Sequence, residues 1–370
     1  MSSKTYQIGV AGCGGMGRHH LDVIKKLPDA QIAAVCDIFP EAIEKVEAEY
    51  EVGGSFTDVE EMLDSTELDM VTVATQTRGH HAPAVAILKR GISVLCEKPI
   101  AIDPKEADEM VEAAAASGAK FAINQQNHVN PGIRKAQEMV ADGAVGDLVL
   151  VRGRNKAGRK SGNEFMEMGT HVTDMMICFG GLAQWVSGTV MVDDRLGERG
   201  DIMEAKEMSP RDRDSGLVIG HRVIGNYGFD RGVLGEIHFL AYSKTMAENY
   251  GVDILGTEGQ LAVRTSSMAQ LGSNLWQLDR PMEGTPTQKS DWKLVDFGQV
   301  DENPISTMYQ SMFEAIENDT DPPSSGIEGR IALEMILGIY ESHREDGRRI
   351  SLPLEERRHP LEMWREIENS

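Results

Sequence analysis

The sequence predicts an α/β protein in which a doubly wound parallel sheet is followed by an α+β domain built on an open, mostly antiparallel sheet. Two observations support this fold class. The first third of the chain alternates apolar strands with helices, and the remainder carries longer strands joined by short turns. In addition, a chain of 370 residues exceeds what one hydrophobic core commonly supports. Two domains are therefore expected, residues 1–125 and 126–370.

The elements of the first domain follow from its hydrophobic pattern. Strands that are apolar on both faces and alternate with helices are typical of a parallel sheet covered on each side. The predicted strands are 7–11, 31–36, 70–74, 93–96 and 120–123. The predicted helices between and after them are 16–27, 41–49, 80–89 and 104–117.

The pattern changes after a predicted helix at 131–141. Short turns such as 230–232 and 257–259 replace the crossover helices, which indicates antiparallel pairing. The predicted strands are 147–154, 184–192, 222–228, 235–240, 252–255, 260–263 and 349–354. Two further helices are expected at 305–318 and 329–345, and the polar stretch 197–215 is predicted to be a loop. The final segment 329–354 is expected to pack back towards the first domain.

Charge and cysteine content narrow the possible partners and location. The formal net charge is −22, which argues against nucleic acid and anionic membranes, because both require a basic face. No apolar run reaches the ~18–20 residues of a membrane span, and no signal peptide is recognised at the N-terminus. The four cysteines are far apart and lack metal-site spacing. We therefore expect a cytoplasmic protein with reduced thiols and no membrane partner.

A glycine-rich turn directly follows the first predicted strand and opens the first predicted helix. It has the pattern G-x-G-x-x-G, formed by Gly12, Cys13, Gly14, Gly15, Met16 and Gly17. Here the first glycine permits a tight turn, the second lets the backbone approach a pyrophosphate, and the last lets the helix pack closely on the strand. The N–H groups at the helix N-terminus favour phosphates. The pattern therefore predicts a Rossmann-type dinucleotide site.

An acidic residue ends the second predicted strand where the fold distinguishes NAD from NADP. Asp37 lies 20 residues after Gly17 (37 − 17), where a carboxylate accepts the adenosine ribose hydroxyls and repels a 2′-phosphate. NAD is therefore the predicted cofactor, and the neighbouring Ile38 is assigned to its site. Arg18 leaves NADP open as an alternative, because a guanidinium can pair with an additional phosphate.

Four further stretches are informative in their order and spacing. They are VATQTRGHH at 73–81, CEKP at 96–99, EMGTHVTD at 167–174 and the closing helix from Gly329 to Ser342. With the glycine turn they resemble the glucose–fructose oxidoreductase / inositol dehydrogenase (Gfo/Idh/MocA) family, over essentially the whole chain. The resemblance implies the same two-domain fold, NAD-linked oxidation of hydroxyl groups, and homo-oligomers formed through the open sheet.

A lysine in the second stretch is the principal catalytic candidate. Lys98 follows a parallel strand at its C-terminal end, which is where open α/β sheets bind ligands. Removing a hydride from an alcohol also requires a base for the hydroxyl proton. A partly desolvated lysine near a positive nicotinamide is a credible base, because its pKa is expected to be lowered. The resemblance implies that Glu97 contacts the nicotinamide ribose and that the Lys98–Pro99 peptide bond is cis.

Three polar residues in the third stretch occur at i, i+4 and i+7, so on a helix they share one stripe. They are Glu167, His171 and Asp174. The resemblance implies that His171 is a catalytic acid or base and that Asp174 occupies the last acidic position. Glu167 departs from the family pattern, which has an aspartate there, so its role in aligning Lys98 or His171 is open. A structural histidine, or a metal pair of His171 and Glu167, are the alternatives.

The remaining assignments are weaker. Thr75 and His80 follow the third strand, where the family contacts the cofactor, although helix capping by the threonine and a solvated histidine are alternatives. Asn127 follows the fifth strand and is assigned to the nicotinamide region. The adjacent pairs His19-His20 and His80-His81 point about 100° apart on a helix, so they are not chelating pairs. No metal site is predicted.

A basic cluster stands out against the acidic background. It comprises Arg152, Arg154, Lys156, Arg159 and Lys160. Guanidinium groups suit oxygen-rich ligands, so Arg154 and Lys156, with Lys98 and His171, are predicted to bind substrate. Pairing of the cluster with the protein's own carboxylates, or with another subunit, is the alternative.

These observations predict an NAD-dependent dehydrogenase that acts on a secondary hydroxyl of a sugar, cyclitol or related polyol. Lys98 and His171 form the proton relay in this hypothesis. Two alternatives stay open: an enzyme with retained NAD that cleaves glycosides through transient oxidation and elimination, and a non-catalytic NAD(H)-binding regulatory subunit. A fold alone does not distinguish them, because Rossmann domains carry many chemistries.

Overall fold

The computed structural model describes residues 4–155, 162–205, 215–240, 250–265, 273–278, 292–297 and 303–367. The chain divides into two compact units. The first comprises residues 1–125 together with 305–330, and the second comprises residues 126–304 and 331–370.

The first part of the chain alternates strands and helices as the hydrophobic pattern indicates. The strands are β1 (Tyr6–Ala11), β2 (Ala30–Cys36), β3 (Ser55–Phe56), β4 (Met70–Val73), β5 (Ser93–Cys96) and β6 (Phe121–Ile123). The helices are α1 (Gly15–Ile24), α2 (Pro40–Glu49), α3 (Val59–Ser65), α4 (His81–Lys89) and α5 (Pro104–Ser117). All residues of β4 and β5 are buried, as expected when helices cover both faces of a sheet.

The sheet of the first unit has the order β3-β2-β1-β4-β5-β6, and all of its described pairs are parallel. The strand order reverses between β1 and β4, which makes the C-terminal edge there the expected ligand-binding crevice of the fold. The glycine turn follows β1, the loop with Thr75 and His80 follows β4, and Lys98 follows β5. The topology therefore brings three predicted cofactor segments to one edge of one sheet.

The remaining elements follow in chain order. The helices are α6 (Pro131–Ala141), α7 (Gly162–Gly180), α8 (Pro304–Asn318), α9 (Gly326–Arg344) and α10 (Pro360–Glu366). The strands from β7 to β12 are Leu148–Arg154, Ala183–Val192, Arg195–Leu196, Met203–Glu204, Leu217–Val218 and Arg222–Phe229. Those from β13 to β18 are Leu234–Leu240, Gly251–Gly256, Gln260–Thr265, Ser273–Leu278, Lys293–Val295 and Ile350–Ser351.

The large sheet of the second unit has the order β17-β16-β15-β14-β7-β13-β12-β8-β18, with β9 paired to β8. Its described pairs are antiparallel except β7 with β13. Helix α7 packs on β7, β13 and β14. The approach is close: a Cβ atom on Gly153 would lie 2.6 Å from the Met176 sulfur. The predicted fold class, a parallel Rossmann sheet followed by a mostly antiparallel sheet, is confirmed.

One segment differs from the predicted division of the chain. Residues 305–330 belong to the first unit, although 126–370 were expected to form the second domain. Tyr6 in β1 stacks on Phe313 of α8 at a centroid distance of 3.9 Å, and its hydroxyl donates to Glu317. Ser325 forms an isolated bridge with Ala122 in β6. These contacts are long-range in sequence, so local periodicity does not reveal them.

The short elements were missed. β3 has two residues and β17 has three, which gives no readable alternation. The predicted strand 349–354 is reduced to Ile350–Ser351, because Pro353 shortly afterwards lacks the N–H that a ladder needs. Within the predicted loop 197–215, residues 203–204 pair with 217–218, while 206–214 lie outside the described residues.

Among the described residues, no helix is both long enough and apolar enough to cross a membrane. The cytoplasmic location stays a prediction.

Candidate functional site

The glycine turn has the backbone that the sequence pattern requires. Gly12 has φ = +102°, a conformation that side chains disfavour, and a Cβ atom on it would lie 2.6 Å from the Ala74 carbonyl carbon. A Cβ atom on Gly17 would overlap the Gly12 carbonyl oxygen. By contrast, nothing lies within 4 Å of a Cβ atom on Gly14 or Gly15. The outer glycines therefore serve the fold, and the middle two present bare backbone to solvent.

Asp37 fastens this turn to the end of β2. One carboxylate oxygen accepts from the Cys13 backbone N–H at 2.7 Å, and the other accepts from the Phe39 N–H at 2.9 Å. The side chain of Ile38 is 76% exposed and that of Met16 is 42% exposed. The side chains of Met16 and Ile38 are therefore accessible beside the turn, and the Asp37 carboxylate is held by the backbone N–H groups of Cys13 and Phe39.

His80 ties together the loops that follow β4 and β5. Its imidazole is buried, with Nδ1 2.8 Å from the Pro99 carbonyl oxygen and Nε2 3.1 Å from the Thr75 carbonyl oxygen. The alternative of a solvated histidine is wrong, because burial and both carbonyl contacts place it inside the first unit. His80 therefore shapes the edge of the sheet, while Thr75 is half-buried beside it.

Glu97 is part of a buried polar chain. Its Oε1 lies 3.0 Å from His20 Nε2 and accepts from Asn124 Nδ2 at 2.7 Å. The other ring nitrogen of His20 lies 2.9 Å from the Tyr309 hydroxyl oxygen, which is 2.6 Å from the Thr72 hydroxyl oxygen. All five residues are buried. This hydrogen-bonded network of side chains connects α1, β4, β5 and α8 inside the first unit.

The charge on Glu97 is stabilised by this environment. Burial alone raises a carboxyl pKa, but the hydrogen bond and charge of His20, the Asn124 amide and the Lys98 charge lower the pKa of Glu97 to about 2. A buried carboxylate with several donors is therefore ionised at neutral pH. The contact of Glu97 with a ribose stays a prediction. Both carboxylate oxygens already have hydrogen-bond partners within the protein, His20 and Asn124 on Oε1 and the Lys98 backbone N–H on Oε2.

Lys98 is positioned by the same carboxylate. Its backbone N–H donates to Glu97 Oε2 at 3.2 Å, and the Lys98–Pro99 peptide bond is cis, as the family resemblance implied. The residue is half-buried, and its charge contributes to the low pKa of Glu97. Lys98 thus follows the C-terminal end of β5, next to a carboxylate that is ionised at neutral pH.

The polar stripe of the second unit lies on one helix, as expected, but its members differ in environment. Glu167, His171 and Asp174 are all in α7. Glu167 and His171 are half-buried, and the Ser215 hydroxyl donates to Glu167 Oε1 at 2.7 Å. The side chain of Asp174 is 0% exposed. The spacing predicted a shared face, whereas burial separates Asp174 from the other two.

Asp174 faces a histidine and a cysteine that the sequence analysis did not single out. His128 Nδ1 lies 3.3 Å from Asp174 Oδ1 and 3.6 Å from Cys178 Sγ. Burial opposes a charge on His128, but the charges of Cys178 and Asp174 raise its pKa. Asn127, predicted to contact the nicotinamide, is buried beside this group and donates to the Tyr250 hydroxyl at 3.1 Å.

The arginines of the basic cluster pair with the protein's own carboxylates. Arg152 Nε donates to Glu236 at 2.6 Å, and Arg154 Nε donates to Asp253 at 2.7 Å. Arg264 also contacts Asp253. These pairs favour the alternative that the cluster balances internal acidic residues. The other members, Lys156, Arg159 and Lys160, lie outside the described residues.

Sequence reasoning missed His20, Tyr309, His128 and Cys178. The adjacent pair His19-His20 was excluded as a chelating pair, but the link of the buried His20 to Glu97 was not recognised. The useful signal is indirect: a histidine on the buried face of α1 needs polar partners in the core. For Cys178, the spacing of four residues from Asp174 places both on one face of a helix.

The residues of the first unit fit an NAD molecule. The middle glycines present bare backbone, α1 begins at Gly15 and would offer its first N–H groups, and Asp37 would supply the carboxylate for ribose hydroxyls. Residues 6–125 match the family model GFO_IDH_MocA, described as an oxidoreductase family with an NAD-binding Rossmann fold. Over this domain the chain therefore matches the Gfo/Idh/MocA oxidoreductase family. The predicted cofactor, NAD, and the predicted class, an NAD-dependent dehydrogenase, are confirmed at the family level.

Relatives and solved structures extend the similarity beyond the first domain. Myo-inositol 2-dehydrogenase of Thermotoga maritima is 25% identical over 236 residues, 61% of this chain and 71% of that protein. D-apiose dehydrogenase of Paraburkholderia graminis is 22% identical over 364 residues, 94% of this chain and 90% of that protein. A levoglucosan dehydrogenase solved with NADH and L-sorbose superposes with a TM-score of 0.75 at 16% identity, covering 95% of this chain and all of that chain. These matches show a shared fold along almost the whole chain.

Proposed function

We propose that this protein oxidises a secondary hydroxyl of a sugar, cyclitol or related polyol, and that Lys98 and His171 form its proton relay. The relatives named above act on an inositol and on apiose, which supports a polyhydroxylated substrate. When bound, NAD supplies the hydride acceptor. The protein must then remove the hydroxyl proton, and this is the task that we assign to the two residues.

The observation that carries the proposal is the hydrogen-bonded network that holds the Lys98 backbone. Its backbone is held by Glu97, which is itself fixed by His20 and Asn124. Lys98 also shares the C-terminal edge of the sheet with the glycine turn. With its backbone fixed at this edge, the Lys98 side chain in its neutral form can accept a hydroxyl proton and pass it on. The network therefore orients the base rather than contacting the substrate.

His171 supports the proposal from the second unit. It lies on α7, a rigid helix packed on β7 by the close approach at Gly153, and it is half-buried. Glu167, one turn before it, is fixed by Ser215, so we assign Glu167 the positioning role left open above. A histidine on such a scaffold suits general acid–base work near neutral pH.

Lys98→Met tests the relay directly. We expect turnover with NAD and a panel of sugars and cyclitols to fall by about 10²–10⁴-fold, while NAD affinity, measured by calorimetry, stays within about tenfold. His81→Ala, at an exposed pair on α4, is the matched control. Unchanged turnover in Lys98→Met contradicts the assignment. Products that form without NADH favour the glycoside-cleaving alternative, and tight NAD binding without turnover of any substrate favours the regulatory one.

We also propose that the chain forms a homo-oligomer through the large sheet of the second unit. Ile224 and Leu234 are 49% and 47% exposed on neighbouring strands, and exposed apolar side chains on a sheet favour burial against a second surface. Light scattering after size exclusion should give a multiple of the 40.6 kDa chain mass. A monomer at micromolar concentration overturns this part.

A further inference from the structure

We propose that His128, Asp174 and Cys178 bind a zinc ion in the second unit. The three side chains offer an imidazole nitrogen, a carboxylate oxygen and a sulfur, all within 4.8 Å of one another. Nitrogen, oxygen and thiolate ligands in this combination suit zinc, whereas magnesium and calcium prefer oxygen alone. The inference stands on these residues and is independent of the proposed reaction.

The two distances measured from His128 Nδ1 match the edges of a zinc tetrahedron. Zinc lies about 2.0–2.1 Å from nitrogen, 2.0–2.2 Å from oxygen and 2.3 Å from sulfur. Tetrahedral angles then separate nitrogen from oxygen by about 3.3–3.5 Å and nitrogen from sulfur by about 3.5–3.6 Å. The observed separations from His128 Nδ1 are 3.3 Å to Asp174 Oδ1 and 3.6 Å to Cys178 Sγ.

A direct ion pair explains these distances less well. A charged imidazole and a carboxylate usually approach to about 2.7–2.9 Å, whereas His128 and Asp174 are 3.3 Å apart. The same nitrogen also lies near both the Asp174 oxygen and the Cys178 sulfur, as expected for a ligand atom facing a common centre. The geometry therefore points to one central cation bound by all three groups.

The scaffold of the cluster is rigid and suited to chelation. Asp174 and Cys178 are separated by four residues on α7, so both project from one face of the helix. His128 belongs to the short 3-10 helix Gln126–Val129, which packs on α7. Bound zinc would therefore join that segment to the helix that carries His171. A water molecule or another oxygen ligand would complete the tetrahedron.

The electrostatic surroundings favour a cation. Asp174 and Glu164 both raise the pKa of the buried Tyr250 hydroxyl, after the larger effect of burial, so two carboxylates act on the same region. Asn127, which directly precedes His128 in the sequence, donates a hydrogen bond to that hydroxyl. Zinc binding would release the protons of the ligands, as is usual for thiolate and imidazole sites.

Cobalt(II) substitution tests the site in the full-length protein. After chelation and addition of Co²⁺, the wild type should show thiolate-to-cobalt charge transfer in the near ultraviolet and the intense visible bands of a tetrahedral centre. Cys178→Ser should lose the charge transfer and bind zinc at least about 100-fold more weakly, because even indirect perturbation of a site costs about 10–100-fold. His81→Asn, at a surface histidine–carboxylate pair 2.8 Å apart, should behave as the wild type.

Two further measurements keep the test decisive if a variant misfolds. Asp174→Asn, checked by circular dichroism, should also lose zinc affinity. In the wild type, zinc should slow alkylation of Cys178, located by peptide mass, while Cys13 stays unaffected. Absence of charge transfer and of zinc retention in the wild type overturns the proposal. Equal zinc affinity in Cys178→Ser, or equal alkylation with and without zinc, overturns it as well.

Discussion

Replacing Glu97 by Gln should remove a pH-dependent part of the stability of the first unit. Burial opposes the charge, yet His20, Asn124 and Lys98 lower the pKa of Glu97 from 4.5 to about 2. A lowered carboxyl pKa stabilises the fold above the unfolded pKa and loses this effect as the pH falls towards the folded pKa. A shift of about 2.5 units corresponds to about 3 kcal/mol at neutral pH, and about 2 kcal/mol of this is lost on acidification to about pH 3.

Urea unfolding followed by circular dichroism at several pH values measures this contribution. The difference in unfolding free energy between wild type and Glu97→Gln should be largest at neutral pH and should shrink by about 2 kcal/mol at about pH 3. Glu109→Gln, at a surface carboxylate that pairs with His81, is the control and should change stability by less than about 0.5 kcal/mol. A Glu97→Gln difference that is constant over this pH range would refute the reasoning.

Two more predictions follow from the same unit. Gly14→Ala should fold normally, because nothing lies near the added Cβ atom, but it should weaken NAD binding, whereas Gly17→Ala should lower the free energy of unfolding by about 1–3 kcal/mol because its Cβ atom meets the Gly12 carbonyl. Thermal melts with and without NAD distinguish the two variants. Equal melting points of the two variants without NAD would contradict the assignment. Tyr309→Phe should cost about 1–3 kcal/mol by leaving His20 without its hydroxyl partner, and a loss below about 0.5 kcal/mol in urea unfolding would show that this link is unimportant.

The parts of the fold that depend on local pattern could be predicted. The helices 104–117 and 131–141 and the strand 93–96 have the predicted bounds, because Asp103 and Asn130 cap helices that begin with proline. Parts that depend on distant contacts were not predictable in this way. Placement of α8 in the first unit depends on Phe313 stacking on Tyr6, a pair more than 300 residues apart in sequence.

The candidate site shows the same division. The glycine turn and Asp37 could be assigned because each has a backbone role fixed by short spacing. The partners of Arg154 and Asp174 could not, since Asp253 and His128 come from distant segments. An i, i+4, i+7 pattern specifies a helix face, but what packs against each position decides whether a carboxylate is accessible or, like Asp174, is buried against a histidine.

The connection between the glycine turn and Lys98 follows from these distant contacts. His20 belongs to α1, the helix whose N-terminus follows the turn, and its imidazole contacts the carboxylate that holds the Lys98 backbone. A shift of α1 therefore changes the hydrogen bonding of Glu97 within the same buried chain. Because the side chains of this hydrogen-bonded network are buried and several of them have more than one partner, the network resists small displacements. We therefore expect cofactor binding at the turn and the orientation of Lys98 to be coupled through His20, so substitution of His20 should impair NAD affinity and turnover together rather than either one alone.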